Sequence, residues 1–188
     1  MVNNSIGRGA YGRVHLVKRD DVFYAMKEIE KKKLAKEKKE YQAYVERELL
    51  MKISHPGIIK LKQCLQDGKY LYYVVEYCHG GDLTKFIKTN EQKITEELRV
   101  FYISEIVSIL EYLHKAGITH RDLKPENIML SKNGHLKLID FGTAEITKCN
   151  IVSDKFKEDI AKQKKNSNNS NNLEELLGKG GDDDDEDS

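Results

Sequence analysis

The sequence predicts an α+β fold, with a strand-rich first part and a helical second part. Three observations predict it. Before Tyr77, short apolar runs are broken by turn residues, which is a strand signal. After Gly80-Gly81 the apolar period becomes helical. The length, 188 residues, allows one domain or two small lobes around one core.

Taken in order, Val14, Leu16 and Val17 follow a glycine cluster, and Val22 to Met26 follows the turn residues Asp20-Asp21, so both read as strands. Glu28 to Lys39 is rich in Lys and Glu, and the chain then becomes an amphipathic helix. Val45, Leu49, Leu50 and Ile53 fall on one helical face, and Ser54-His55-Pro56-Gly57 ends it. Ile58–Leu61 and Leu71–Tyr77 read as two more strands joined through Asp67-Gly68. Thr95-Glu96-Glu97 is an N-cap with acids in the first turn, where the helix dipole favours them. Leu98, Phe101, Tyr102, Ile106, Ile109, Leu110 and Leu113 then form a helical stripe that ends at Gly117. Ile128–Leu130 and Leu136–Ile139 flank Asn133-Gly134, a hairpin signal.

Hydrophobic residues are 39% and charged residues 34%, against roughly 45–50% and 25% in ordinary soluble domains, so a solvated stretch dilutes the folded part. That stretch is the Lys- and Asn-rich 162–172 and the acidic 182–187, which cannot bury a core. With 32 Lys+Arg against 31 Asp+Glu the net charge is +1, so no nucleic-acid partner is expected. Cys64, Cys78 and Cys149 fit neither a disulfide framework nor a zinc spacing, which points to a reducing, cytoplasmic setting. No signal peptide and no membrane-spanning run is legible.

The chemistry begins with Gly7-Arg8-Gly9-Ala10-Tyr11-Gly12-Arg13-Val14. Glycines let backbone amides sit directly on phosphate oxygens. Alone, the run fits a plain glycine hairpin or a dinucleotide fingerprint as well. The fingerprint needs a helix straight after the glycines, whereas Val14 to Val17 reads as strand, which favours a hairpin lid over a nucleotide. Ala25-Met26-Lys27 then ends a strand with one lysine among apolar neighbours.

His120-Arg121-Asp122-Leu123-Lys124-Pro125-Glu126-Asn127 and Asp140-Phe141-Gly142 complete the set. In this order the motifs resemble the eukaryotic protein kinases, over Ile6 to about Glu145. The resemblance implies a protein-kinase-like two-lobed fold, its N-terminal lobe (1–78) nearly complete and its C-terminal lobe (79–145) partial. It also implies the cofactors ATP and Mg²⁺ and protein substrates with Ser/Thr acceptors. Independently of the family, Asn127 and Asp140 each lie six residues from the Asn133-Gly134 turn. A two-residue hairpin would set them opposite each other, which suits a shared Mg²⁺ site built from oxygen donors.

By resemblance, Lys27 holds the α/β-phosphates and pairs with a helix carboxylate. Glu46 and Glu48 compete for that role. Glu46 shares a face with Leu50 and Ile53, while Glu48 is rotated away by roughly 200°, so Glu46 is expected. The same resemblance makes Asp122 the residue that steers the substrate hydroxyl, Lys124 the stabiliser of the transferring phosphoryl group, and Asn127 and Asp140 the metal ligands. It assigns nucleotide contacts to Ile6, Gly7, Gly9, Gly12, Val14, Ala25 and Met129, with Val75 guarding the back of the adenine pocket. Glu76-Tyr77-Cys78 becomes the hinge, and Asp82 lies near the ribose.

Lys124, two places after Asp122, resembles the serine/threonine kinases. Asp140-Phe141-Gly142-Thr143-Ala144 and the run from Glu105 to His114 look most like the phosphoinositide-dependent kinases of the AGC group. Glu145 departs from the lysine or arginine common there. No Ala-Pro-Glu follows, so 146–188 reads as a disordered activation-segment insertion or tail of a truncated chain. Any membrane recruitment would then rest on regions absent here, and a catalytically inactive nucleotide- or partner-binding fragment is the alternative. Arg121 has no acidic partner nearby in sequence. In the resembled family such an arginine receives a phosphate on the activation segment, which by resemblance would sit on Ser188.

Overall fold

The structure is a computed structural model that describes residues 4–9 and 12–147, together with Glu158. Strands β1 (Asn4–Gly9), β2 (Gly12–Arg19) and β3 (Val22–Glu30) form an antiparallel meander, and β4 (Leu61–Gln66) and β5 (Tyr70–Glu76) complete a sheet of order β1-β2-β3-β5-β4. The glycine run is therefore a hairpin, with Gly9 opposite Gly12. Gly12 is obligatory at its position, because a Cβ there would lie 1.7 Å from the Glu28 carbonyl oxygen of β3. At the β2–β3 turn Asp20 and Asp21 both take positive φ, 49° and 60°, the backbone that matches a two-residue hairpin to strand twist.

Two helices cross between β3 and β4. Helix α1 (Lys31–Glu37) buries only Leu34 and stops at Lys38, whose φ of 53° turns the chain. Composition alone did not mark this helix. Helix α2 (Glu40–Lys52) buries Val45, Glu46, Leu49 and Leu50 on the face expected for it. The predicted strand Ile58–Leu61 is corrected. Ile58 makes only a single parallel bridge to Leu138, and the ladder starts at Leu61. Ile58 and Ile59 are instead buried in the core, as an apolar pair in a connecting loop can be.

Helix α3 (Leu83–Asn90) starts at Asp82, whose carboxylate accepts a hydrogen bond from the Lys85 N–H at 2.8 Å. Helix α4 (Glu96–Lys115) starts at Thr95, whose hydroxyl accepts from the Leu98 N–H at 3.3 Å. Beyond it lie the short pairs β6 (Ile118–Thr119) with β9 (Glu145–Ile146), and β7 (Ile128–Leu130) with β8 (Leu136–Leu138). One cluster of buried residues runs from Leu49 of α2 through Cys78 and Leu83 to Leu113 of α4 and Phe141. The strand-rich and helical parts thus share a core. A smaller cluster, including Ile29, Leu34 and Tyr73, lies between the sheet and the two crossing helices.

Candidate active site

Lys27 lies on β3 opposite Val14 of β2 and Tyr73 of β5, so the sheet fixes its height. Its ammonium donates to both Glu46 oxygens, at 2.7 and 2.8 Å. Burial raises the Glu46 pKa, and the Asp140 carboxylate adds to the rise, against the pull of the Lys27 ammonium. Glu48 is engaged elsewhere, accepting from Arg47 at 2.7 Å and from Lys52 at 2.8 Å.

The loop of residues 120–127 is tied to itself. The Lys124 ammonium donates to both Asp122 oxygens, at 3.0 and 2.8 Å. The Asn127 side-chain N–H₂ donates to the Asp122 carbonyl and carboxylate oxygens, both at 2.9 Å. These bonds hold the Asp122 carboxyl below its ordinary range, the Lys124 bond foremost. Lys124 is raised by the same bond. His120 supports the loop from beneath. It is buried, it accepts at Nδ1 from the Asp122 N–H at 3.3 Å, and its Nε2 lies 3.1 Å from the Ile139 carbonyl, so Nε2 carries the proton. Its ring meets fully buried Phe141 edge-on. The sequence reading gave neither residue a role, although both lie inside the motifs.

The hairpin register differs from expectation. Ile128 faces Leu138 and Leu130 faces Leu136, one residue short of the register that sets Asn127 against Asp140. The Ser131 N–H donates to His135 O and the His135 N–H to the Ser131 hydroxyl, so Ser131 and His135 close the hairpin and three residues, 132–134, make the turn in place of a two-residue Asn-Gly turn. Asn127 is therefore opposite Ile139, whose N–H donates to the Asn127 carbonyl at 2.9 Å. Asp140 leaves the ladder with a φ of 61°, a left-handed backbone uncommon for a residue with a Cβ. It remains close enough in the field to raise Glu46 and to act on both His120 and Lys124.

The remaining candidates divide. Ala25 faces Leu16 on one side and Val75 on the other, and Asp82 bridges to Met129, so these residues line the junction of sheet and helical part. Val14, Ala25, Val75 and Met129 are half-buried there, Cys78 is buried, and Ile6 of β1 is exposed. Glu76 turns its carboxylate away from the hinge, accepting from the Lys60 N–H and the Lys137 ammonium, both at 2.9 Å. The Asp82 carboxylate is committed to the α3 N-terminus, and to the Lys85 ammonium at 3.1 Å. Gly7 and Gly9 lie in β1, and residues 10 and 11 of the glycine run lie outside the described residues.

Arg121 is paired across the fold rather than along the sequence. Its acidic partner is Glu145, with Nη1 donating to Oε2 at 3.0 Å while Nε donates to the Thr143 carbonyl at 2.6 Å. The two residues are 24 apart in sequence, and the β6–β9 pairing brings them together. Ser188, the expected phosphate site, lies outside the described residues.

The protein kinase domain family matches residues 1–160 of the chain. The chain belongs to the protein kinase family. It is 47% identical over 143 residues to "3-phosphoinositide-dependent protein kinase B" of Dictyostelium discoideum, covering 75% of this chain and 16% of that protein. Against "3-phosphoinositide-dependent protein kinase 1" of Arabidopsis thaliana it is 41% identical over 141 residues, 74% of this chain and 28% of the relative. Against the human "cAMP-dependent protein kinase catalytic subunit PRKX" it is 39% identical over 143 residues, 75% of this chain and 40% of the relative. These names bear out the resemblance to the AGC kinases and, within them, to the phosphoinositide-dependent ones. The chain therefore spans well under half the length of these kinase relatives. Among the described residues no helix is long and apolar enough to cross a membrane.

Proposed function

We propose that the protein transfers the γ-phosphoryl group of ATP to serine or threonine hydroxyls of protein substrates. The observation that carries this is that the Lys27–Glu46 pair and the Asp122–Lys124–Asn127 cluster both form, and that both lie within the electrostatic field of Asp140. Glu46 anchors Lys27, so a cation waits at a fixed height for the α- and β-phosphates. Val14, Ala25, Val75 and Met129 offer apolar contact to a base.

The donor set fits Mg²⁺. Asp140 supplies a carboxylate, and Asn127, having spent its N–H₂ on Asp122, keeps its side-chain oxygen as the acceptor. Mg²⁺ at such a site takes its remaining ligands from phosphate and water. When bound, Mg²⁺ would neutralise phosphate charge. Asp122, its carboxyl held below the ordinary range, orients the acceptor hydroxyl by accepting its hydrogen bond and takes the proton as the oxygen bonds to the γ-phosphorus and the bond to the β,γ-bridging oxygen breaks, with ADP leaving. Lys124, held 2.8 Å from Asp122, presents its charge to the transferring group.

Lys27→Met in the full-length protein tests the reading. Transfer to a peptide should fall at least about 100-fold, since one fixed charge on the phosphates is lost, while far-UV circular dichroism stays unchanged. Undiminished transfer would sink the assignment, and nucleotide binding without transfer by the wild type would favour a silent binding protein.

A further inference from the structure

Arg121 is a cation of the catalytic loop that the proposed transfer does not use. Its φ is 67°, a backbone that costs energy in a residue with a Cβ and persists only where the surroundings hold it. Two side-chain bonds do so, from Nε to the Thr143 carbonyl at 2.6 Å and from Nη1 to Glu145 at 3.0 Å. The stretch that Arg121 grips is bound to the loop at further points. Thr143 donates its hydroxyl to the His120 carbonyl at 3.1 Å, Thr119 pairs with Glu145 in the two-stranded ladder, and the Thr147 N–H donates to the Gly117 carbonyl at 2.9 Å. Tyr41 of α2 lies within the electrostatic field of the same pair. Burial raises its hydroxyl pKa, Arg121 lowers it and Glu145 raises it. The clasp thus ties the catalytic loop to the segment after Asp140-Phe141-Gly142.

We propose that Glu145 is a positioning residue for phosphoryl transfer, a permanent carboxylate that neutralises Arg121 and holds the catalytic loop against residues 143–147 without a phosphate. The planar guanidinium of an arginine can take either a carboxylate or a phosphate as its anionic partner. Here the carboxylate is already in register, opposite Thr119 and two residues along from it to Arg121, so no rearrangement is needed to engage it. A phosphate approaching Arg121 would meet a neutralised cation with a carboxylate beside it, and like charges oppose that docking. Both partners are about half exposed, 50% and 52%, and an isolated pair of that kind contributes little. The second bond to Thr143 and the strand register set this pair apart, because they make the geometry rather than the charge alone specific.

The role rests on the protein-kinase reading, and the test separates the two. In the full-length protein, kcat and the KM for ATP are measured for wild type, Glu145→Gln and Glu145→Asp, each with and without prior phosphatase treatment. Wild type should keep its activity after phosphatase. Glu145→Gln should lose kcat roughly tenfold or more with KM little changed, since the loss is confined to the transfer step, and Glu145→Asp should recover most of it. A Glu145→Gln enzyme equal to wild type, or a wild type silenced by phosphatase, overturns the proposal. If wild type transfers nothing, the kinase reading fails, and the positioning role is judged by amide exchange. Residues 118–121 and 143–147 should then exchange about tenfold faster in Glu145→Gln, and equal protection overturns it.

Discussion

At the scale of single residues, burial decides what a charge does. Glu46 is 6% exposed and its pKa is raised even though Lys27 lies 2.7 Å away, so desolvation outweighs the ion pair. A carboxyl raised on folding contributes stability that is fully present below its unfolded pKa, about 4.3, and is lost as pH rises through the folded value. The melting difference between Glu46→Gln and wild type should therefore move in the variant's favour as pH rises from ~4 to ~7, while phosphoryl transfer falls. A melting difference that does not change with pH would count against this. The contact with Lys27 was legible because helical periodicity separates an inward glutamate from an outward one. The Arg121–Glu145 contact was not. Its partners are far apart in sequence, and only a two-residue strand pairing, too short to leave a pattern, unites them.

At the scale of elements, turn chemistry was legible where side chains cap their own backbone. Asp67 accepts from the Lys69 and Tyr70 N–H groups at 2.7 and 2.6 Å and from the Tyr72 hydroxyl at 2.8 Å. Those bonds, the Tyr70 N–H foremost, lower its pKa, and Asp67 in turn pushes the Tyr72 hydroxyl up to about 12. A carboxyl lowered on folding stabilises above its unfolded pKa, and that stability is lost as pH falls through the folded value. Asp67→Ala should lower Tm by a few degrees at neutral pH and by progressively less in acid. The high tyrosine titration should vanish from the ultraviolet spectrum, and its persistence would show that the turn does not set it. Helix α1 and the true start of β4 escaped the sequence for a physical reason. The first buries a single leucine, and Ile58-Ile59 is a strand-like pair whose N–H groups donate to His55, in the loop after α2, and to Leu138 of β8 rather than to the sheet.

At the scale of the whole molecule, the sequence separates two parts more cleanly than the packing does. Leu49 of α2, Leu83 of α3, Leu113 of α4 and Phe141 belong to one buried cluster, so the sheet's own helix is cemented to the helical part. The Tyr112 hydroxyl adds to this by accepting from the Ser54 N–H at the end of α2, at 2.8 Å. Val100, Ile103 and Val107 of the same helix are 58%, 60% and 58% exposed, an apolar row outside that buried cluster. The two faces of one helix should then answer substitution oppositely. Leu113→Ala, at a side chain with no exposure, opens a cavity worth about 2–5 kcal/mol. Because the cluster is shared, sheet and helices should still lose amide protection in a single transition. Val107→Ser should change stability by no more than about 0.5 kcal/mol, since it removes little buried contact. Two separate exchange transitions in Leu113→Ala would mean that the parts fold independently. A large loss in Val107→Ser would mean that the apolar row is already covered in solution.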